Sequence, residues 1–395
     1  MKYVIEKEKR PVYLQIYKQL RDDIVEGVFS YNSKLPSKRL LANEIGVSTI
    51  TIEHAYALLC DEGYAEARER SGFFVTFRKT DGFASSQDTS QDSANISNIT
   101  STKVSINPSL RLQSHPTSTL STYPVFSISI LGKVMRKVLS DYQDVLLEKS
   151  PNAGCIELRD AIRRYLARNR NIHISLDQIV IGSGAEYLYG LIVPLLGRDK
   201  IYALETPSYE KMEQIYLAAG VRYELLPLSE NGIDSDSLAA TTADVLHTTP
   251  YRSFPSGITA TASKRHEYIR WSNKGARFII ESDYGSEFSV SSQPMETLFS
   301  LSEHDNVIYL NTFSKTISPS MRVGYMVLPQ QLVKPFREKL GFYSCTVPSF
   351  EQYVLTELIN NGDFERHINR VRRVMRKERD HCISSTTNTS PNSSS

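Results

Sequence analysis

The chain has 395 residues, enough for two or three domains around a sizeable core. Its formal charge of +2 is almost balanced, so net charge does not announce a nucleic-acid binder, and any such contact must come from a local patch. Cys60, Cys155, Cys345 and Cys382 lie far apart with no C-x-x-C pair, which argues for reduced thiols in a cytoplasm and against a zinc site or a disulfide frame.

The opening MKYVIEKEKR is too charged for a signal peptide. Pro11 opens a first helix, with Leu14, Tyr17, Ile24 and Val25 broadly on one face, ending at Gly27. Ser37 caps a short second helix over 38–45, closed by Gly46, and Ser48 caps a third over 49–62, closed by Gly63. Residues 64–67 and 73–77 alternate like two strands paired around Gly72. Helix, turn, helix and β-wing is a recognised way to lay one helix in the major groove of DNA, here the third. Its first turn offers Ser48, Thr49 and Thr51 to phosphates or base edges, although N-capping alone accounts equally well for Ser48 and Thr51. Lys38 and Arg39 begin the preceding helix and can hold the DNA backbone, while Arg68 and Arg70 sit where a wing tip approaches the minor groove.

Residues 81–105, rich in Ser, Asp, Asn and Thr, cannot bury enough apolar area to offset their ordering entropy. They are expected to form a flexible linker between a head, 1–80, and a body, 106–380. The body alternates helical patterns at 156–168 and 187–195 with strand candidates at 178–181, 200–204, 222–226, 245–247, 276–280, 307–311 and 324–328. That alternation is α/β, around a mainly parallel sheet. The longest apolar runs, such as 188–196, are too short to span a bilayer. A helix over 364–379 leads into a polar low-complexity tail, 381–395, expected to be disordered. Gly182-Ser183-Gly184-Ala185 follows a strand and opens a helix, so the backbone can approach a ligand and the free N–H groups favour an anion. Lys315 lies just beyond the strand at 307–311, where a second nearby cation would lower its proton affinity and make it nucleophilic.

The run LPSKRLLANEIGVSTITIEHAYALLCDEGYAEARERSGFFV resembles the winged helix of the GntR family, a resemblance that covers residues 11–77. It departs at Thr49, where that family commonly carries an arginine, and so loses a phosphate or guanine contact. The stretch FSKTISPSMRVGYMVL, 313–328, resembles the lysine segment of fold-type I pyridoxal-phosphate proteins, and residues from about 106 to 380 resemble their aminotransferases. That resemblance implies pyridoxal 5'-phosphate held as an imine on Lys315, with its phosphate at Ser183, Gly184, Ala185 and Arg322 and a further hydroxyl from Ser314. It also implies Tyr284 as donor to the ring hydroxyl and Tyr209 stacked over the ring, a half-buried core tyrosine being the alternative for each. The whole pattern is closest to the MocR family of regulators, which includes the GabR group. It implies a homodimer whose heads bind operator DNA and whose bodies sense an amino compound by imine exchange at Lys315, with a consequent change of DNA affinity. An aminotransferase with an incidental head, and a regulator retaining DNA binding alone, are the competing readings.

Three departures bear on mechanism. Glu281-Ser282-Asp283-Tyr284 stands where the family writes Glu-Asp-Asp-Tyr, so residue matching puts the ring-nitrogen partner on Ser282. Asp283, next along the strand, faces the other side unless the strand end bulges. Without a carboxylate the pyridinium proton is less stabilised, so imine formation survives and transamination suffers. Tyr251-Arg252-Ser253 replaces the Ser-His-Gln usual in the regulators, and Phe254 stands where many aminotransferases have asparagine. The chain is also expected to lack the rest of a C-terminal small domain, with its arginine for an effector carboxylate; Lys211 lies where related regulators can carry a second such arginine.

Overall fold

The structure is a computed structural model that describes residues 11–61, 63–68, 71–77, 125–289 and 296–387. Arg70, the expected linker over 81–105 and residues 388–395 lie outside the described residues. The head is built from α1 (Val12–Glu26), α2 (Lys38–Ile45), α3 (Thr49–Asp61) and an antiparallel pair, β1 (Ala65–Arg68) and β2 (Gly72–Val75). Ile16, Leu20 and Ile24, spaced four apart on α1, meet Ile52, Tyr56 and Leu59 of α3 in one buried core. Ser37 Oγ accepts the Leu40 N–H at 3.2 Å and Ser48 Oγ accepts the Thr51 N–H at 3.1 Å, so both serines cap the helices they precede.

The body centres on an eight-stranded sheet. Its strands are β3 (Ile179–Gly182), β4 (Ile201–Thr206), β5 (Arg222–Ser229), β6 (Gly232–Ile233), β7 (Val245–Thr248), β8 (Phe278–Ser282), β9 (Val307–Thr312) and β10 (Gly324–Val327). The spatial order is β3-β10-β9-β8-β7-β4-β5-β6. β10 runs antiparallel to both its neighbours and β6 antiparallel to β5; the other neighbouring pairs are parallel. β3, β7, β9 and β10 are buried along their whole length, as expected of strands covered on both faces. One face packs on α4 (Ile128–Tyr142), α5 (Ile156–Asn169), α12 (Ser349–Asn360) and α13 (Asp363–Thr387) through Ile179, Ile181, Tyr309 and Tyr325. The other packs on α6 (Ala185–Leu196), α7 (Glu210–Ala218) and α11 (Gln330–Leu340) through the alternate residues Val180, Ile308, Leu310 and Met326.

α13 continues to Thr387, so residues 381–387, expected as disordered tail, are helical. The reason is local: no Gly or Pro occurs between 364 and 390 to interrupt the helix. Among the described residues no helix is long and apolar enough to cross a membrane.

The head rests on the body beside α9 (Ala262–Ser272). Ala262 is part of the head's own apolar core. The Tyr64 hydroxyl lies 3.0 Å from His266 Nε2 and donates to Glu296 Oε2 at 3.0 Å, Phe77 meets the His266 ring edge-on, and Arg21 forms an ion pair with Glu296.

Candidate cofactor site and head surface

The carboxyl ends of β3, β9, β8, β7 and β4 gather along one edge of the sheet, the usual location of a ligand crevice in such folds. A cavity of about 320 Å³ opens there, lined among others by Ala185, Glu186, Arg252, Ser282, Ser314 and Arg322. Tyr209, opening α7, and Tyr284, just past β8, also line it and remain 38% and 46% exposed, so neither is a core tyrosine.

Gly184 precedes α6 with φ +92°, and a Cβ there would lie 2.9 Å from Arg322 Nη2, so glycine lets the guanidinium settle against the helix start. Arg322 Nη2 pairs with Glu186 Oε2 at 2.6 Å. Lys211 Nζ reaches the other oxygen of Glu186 at 3.0 Å, and the Tyr209 hydroxyl donates to that same oxygen at 3.3 Å. The Lys211 hydrogen bond, with the charges of Arg322 and Lys211, holds the Glu186 carboxyl below its ordinary range despite partial burial. Ser183 and Gly184 belong to the same turn but not to the cavity lining; the Ser183 N–H donates to Thr346 Oγ1 at 3.2 Å, and the Thr346 hydroxyl donates to Ser183 Oγ at 3.0 Å.

Lys315 follows β9, and its Nζ lies 4.8 Å from the centroid of the Tyr284 ring. Although the residue as a whole is exposed, partial enclosure of the ammonium, with the charge of Arg252, draws its proton affinity down against the opposing pull of Glu287. Gly285, at φ +82°, leaves the room: a Cβ there would sit 2.5 Å from Lys315 Nζ. Lys315 thus stands at the rim, beside Tyr284, and is not itself a lining residue.

Ser282 and Asp283 part company as strand alternation requires. The Ser282 hydroxyl faces the cavity, 2.8 Å from the Tyr189 hydroxyl and 2.8 Å from His247 Nε2, and Tyr216 lies 2.9 Å from His247 Nδ1. Asp283, also expected at the cofactor, is turned to the opposite face and does not line the cavity. It accepts from Arg170 Nη2 at 2.7 Å and from the Tyr309 hydroxyl at 2.6 Å, a buried ion pair behind the site. Glu281, on the same side as Asp283, accepts the N–H groups of Leu298 and Phe299 at 2.8 and 2.9 Å. It thereby closes the start of α10 (Leu298–Leu301), immediately after the Glu296 that holds the head. Of the residues at 251–254, Arg252 and Phe254 line the cavity, while Ser253 is buried and bonds Glu205.

On the head, Ser48, Thr49 and Arg39 are exposed, as is Ile50 at 63%. Thr51 shares a 2.8 Å hydrogen bond with Ser48, so both hydroxyls are engaged in the cap. Lys38 pairs with Glu53 at 3.1 Å. Arg68 is held by Glu66 at 2.7 Å and Asn32 at 2.7 Å, over the face of Phe74.

Sequence reasoning did not single out Glu186, His247 or Tyr189. Glu186 carried a readable sign, an acidic residue in the first turn of a helix opening on glycines. His247 carried a weaker one, an imidazole inside a strand that is otherwise buried and largely apolar.

These features define a DNA-binding head on an aminotransferase-type body. Residues 12–75 match the model of the bacterial regulatory proteins of the gntR family, and residues 131–389 match that of aminotransferase class I and II. The chain is 32% identical over 370 residues to the HTH-type transcriptional regulator YdeL of Bacillus subtilis, covering 93% of this chain and 78% of that protein. It is 25% identical over 368 residues to the probable rhizopine catabolism regulatory protein MocR of Rhizobium meliloti, covering 92% and 75% of the two chains. The kynurenine aminotransferase of Pyrococcus horikoshii shares the fold of the body, with a TM-score of 0.59 at 24% identity over 68% of this chain and 70% of that one. The chain belongs to the MocR-type transcriptional regulators, which join a GntR winged helix-turn-helix to an aminotransferase class I and II body.

The site residues fit pyridoxal phosphate. The cradle at Gly184, which a Cβ would fill, brings Arg322 to a helix start suited to a phosphate, and Lys315, with weakened proton affinity, stands beside Tyr284, which lines the same cavity as Arg322.

Proposed function

We propose that this chain is a pyridoxal-phosphate-dependent transcriptional regulator of the cytoplasm, acting as a homodimer and sensing an amino compound at Lys315. The observation that carries this reading is that one cavity is lined both by Tyr284, against which Lys315 Nζ lies, and by Arg322, which the Gly184 cradle admits. When bound, the cofactor supplies an aldehyde that condenses reversibly with amines. Lys315 offers the amine, with its proton affinity already reduced by enclosure and by Arg252. Arg322, released from Glu186, would hold the phosphate with the N–H groups of Gly184 and Ala185 and, once it leaves Thr346, that of Ser183, and Ser314 would add a hydroxyl. Tyr284 would donate to the ring hydroxyl, Tyr209 would cover the ring and Ser282 would meet the ring nitrogen. Asp283 acts from behind, fixing the end of β8 through Arg170 and Tyr309. An effector amine taking the place of Lys315 would change what stands against Tyr284 and Ser282. Glu281, adjacent to Ser282, passes that change to α10 and so to Glu296, where Arg21 and Tyr64 of the head are held. The head meets operator DNA through Lys38, Arg39, Ser48, Thr49, Thr51, Arg68 and Arg70. Borohydride reduction of the full chain after incubation with pyridoxal phosphate, followed by peptide mass spectrometry, tests the site. A reduced adduct on Lys315 that is lost in Lys315→Ala is expected; uptake unchanged by that substitution contradicts the reading.

A further inference from the structure

Four buried side chains form a chain of hydrogen bonds, Tyr216 and His247 beneath the cavity and Ser282 and Tyr189 in its wall. His247 is completely buried and its two ring nitrogens face hydroxyls only, so it stays neutral and carries a single N–H. The Tyr216 hydroxyl has its hydrogen bond with His247 Nδ1; a buried phenol must donate, so Nδ1 accepts and the imidazole hydrogen sits on Nε2. That hydrogen is given to Ser282 Oγ. The Tyr189 hydroxyl, which also lines the cavity, lies 2.8 Å from the same Oγ, and either oxygen can give the hydrogen of that bond. Where Tyr189 gives it, Ser282 Oγ receives two hydrogens from the protein, and its own hydrogen points into the cavity it lines. Of the carboxylates nearby, Glu186 in the cavity wall is paired with Arg322 and Lys211, while Asp283, bound to Arg170, and Glu281, bound to the start of α10, lie on the other face.

Resting on the cofactor reading above, we infer that His247, Tyr189 and Tyr216 fix Ser282 as a neutral hydrogen-bond donor, so that the pyridine nitrogen of the cofactor is bound in its unprotonated form. A neutral donor satisfies a nitrogen lone pair and offers no charge to hold a proton there. His247 is a positioning residue in this scheme, since it acts on the ring through Ser282. The consequence is selective: amine exchange at Lys315 needs no ring proton, whereas the electron withdrawal that drives transamination is weakened. The body is thus set to recognise an amine without turning it over.

The test is the nitrogen-15 resonance of ring-labelled pyridoxal phosphate in the full-length protein. A neutral-pyridine resonance that does not move between about pH 6 and about pH 9 is expected. Ser282→Asp is expected to carry it to the pyridinium position, His247→Phe to shift it toward an unbonded pyridine, and His247→Gln, which keeps an amide donor, to restore it. A pyridinium resonance in the unaltered protein overturns the inference even where the Lys315 adduct forms. A resonance unmoved by His247→Phe, in a variant with unchanged far-ultraviolet circular dichroism, overturns the positioning role. Failure to take up the labelled cofactor at all overturns the cofactor reading and this inference together.

Discussion

Single residues decide the chemistry here by their surroundings more than by their type. Lys315 is one lysine among many, yet only its place between Tyr284, Gly285 and Arg252 lowers its hold on a proton. His247 is a second case. Burial depresses its pKa from 6.5 to about 3, so the folded protein keeps it neutral where the unfolded chain protonates. Between these values the unfolded state binds the extra proton, so stability is fully present above 6.5 and is lost as pH falls toward 3. Urea titrations of the cofactor-free chain should therefore give a lower midpoint at acid pH, and His247→Gln should remove part of that slope, at most about 1.4 kcal/mol per pH unit. A slope unaltered by the substitution would show that His247 is not buried neutral. Lys315, Arg322 and the tyrosines at 209 and 284 were legible in the sequence because each sits in a contiguous motif. His247 was not, because its partnership with Ser282 depends on register: His247 lies opposite Ile280 across the β7–β8 pair, which puts it on the same face as Ser282 two residues on.

The elements were legible where local chemistry specifies them. The two serine caps and the glycines at 27, 46 and 63 bounded the helices of the head, and alternating patterns located every long strand of the body. Two things escaped. The end of α13 was drawn too early, because polar composition was read as disorder in a stretch that lacks any helix breaker. The short β6 escaped because two residues carry no period. Within α3, the exposed first residue Thr49 follows the exposed Ser48, where an added cation would face phosphate. Thr49→Arg should tighten binding to duplex DNA and steepen the dependence of log K on log salt by about 1, as one more released counterion requires. Anisotropy titrations at several salt concentrations would reveal this; an unchanged slope would mean that the start of α3 does not approach the DNA backbone.

At the scale of the whole molecule, a series of contacts runs from the cavity to the head. Ser282 forms part of the cavity wall, Glu281 beside it clamps the start of α10, and Glu296 just before α10 grips Arg21 and Tyr64. Sequence alone could not foresee this junction, since it brings together residues more than two hundred positions apart with no shared motif. Sensing requires the site and the head to be thermodynamically linked, because a ligand moves DNA affinity only if it binds the two states differently. The direct measurement is DNA affinity of the full chain, by fluorescence anisotropy on a duplex selected from a random pool by the protein itself, with and without pyridoxal phosphate. A cofactor-dependent change in affinity is expected for the native chain, and it should disappear in Lys315→Ala. An affinity indifferent to the cofactor, or a change that survives the loss of Lys315, would contradict that linkage.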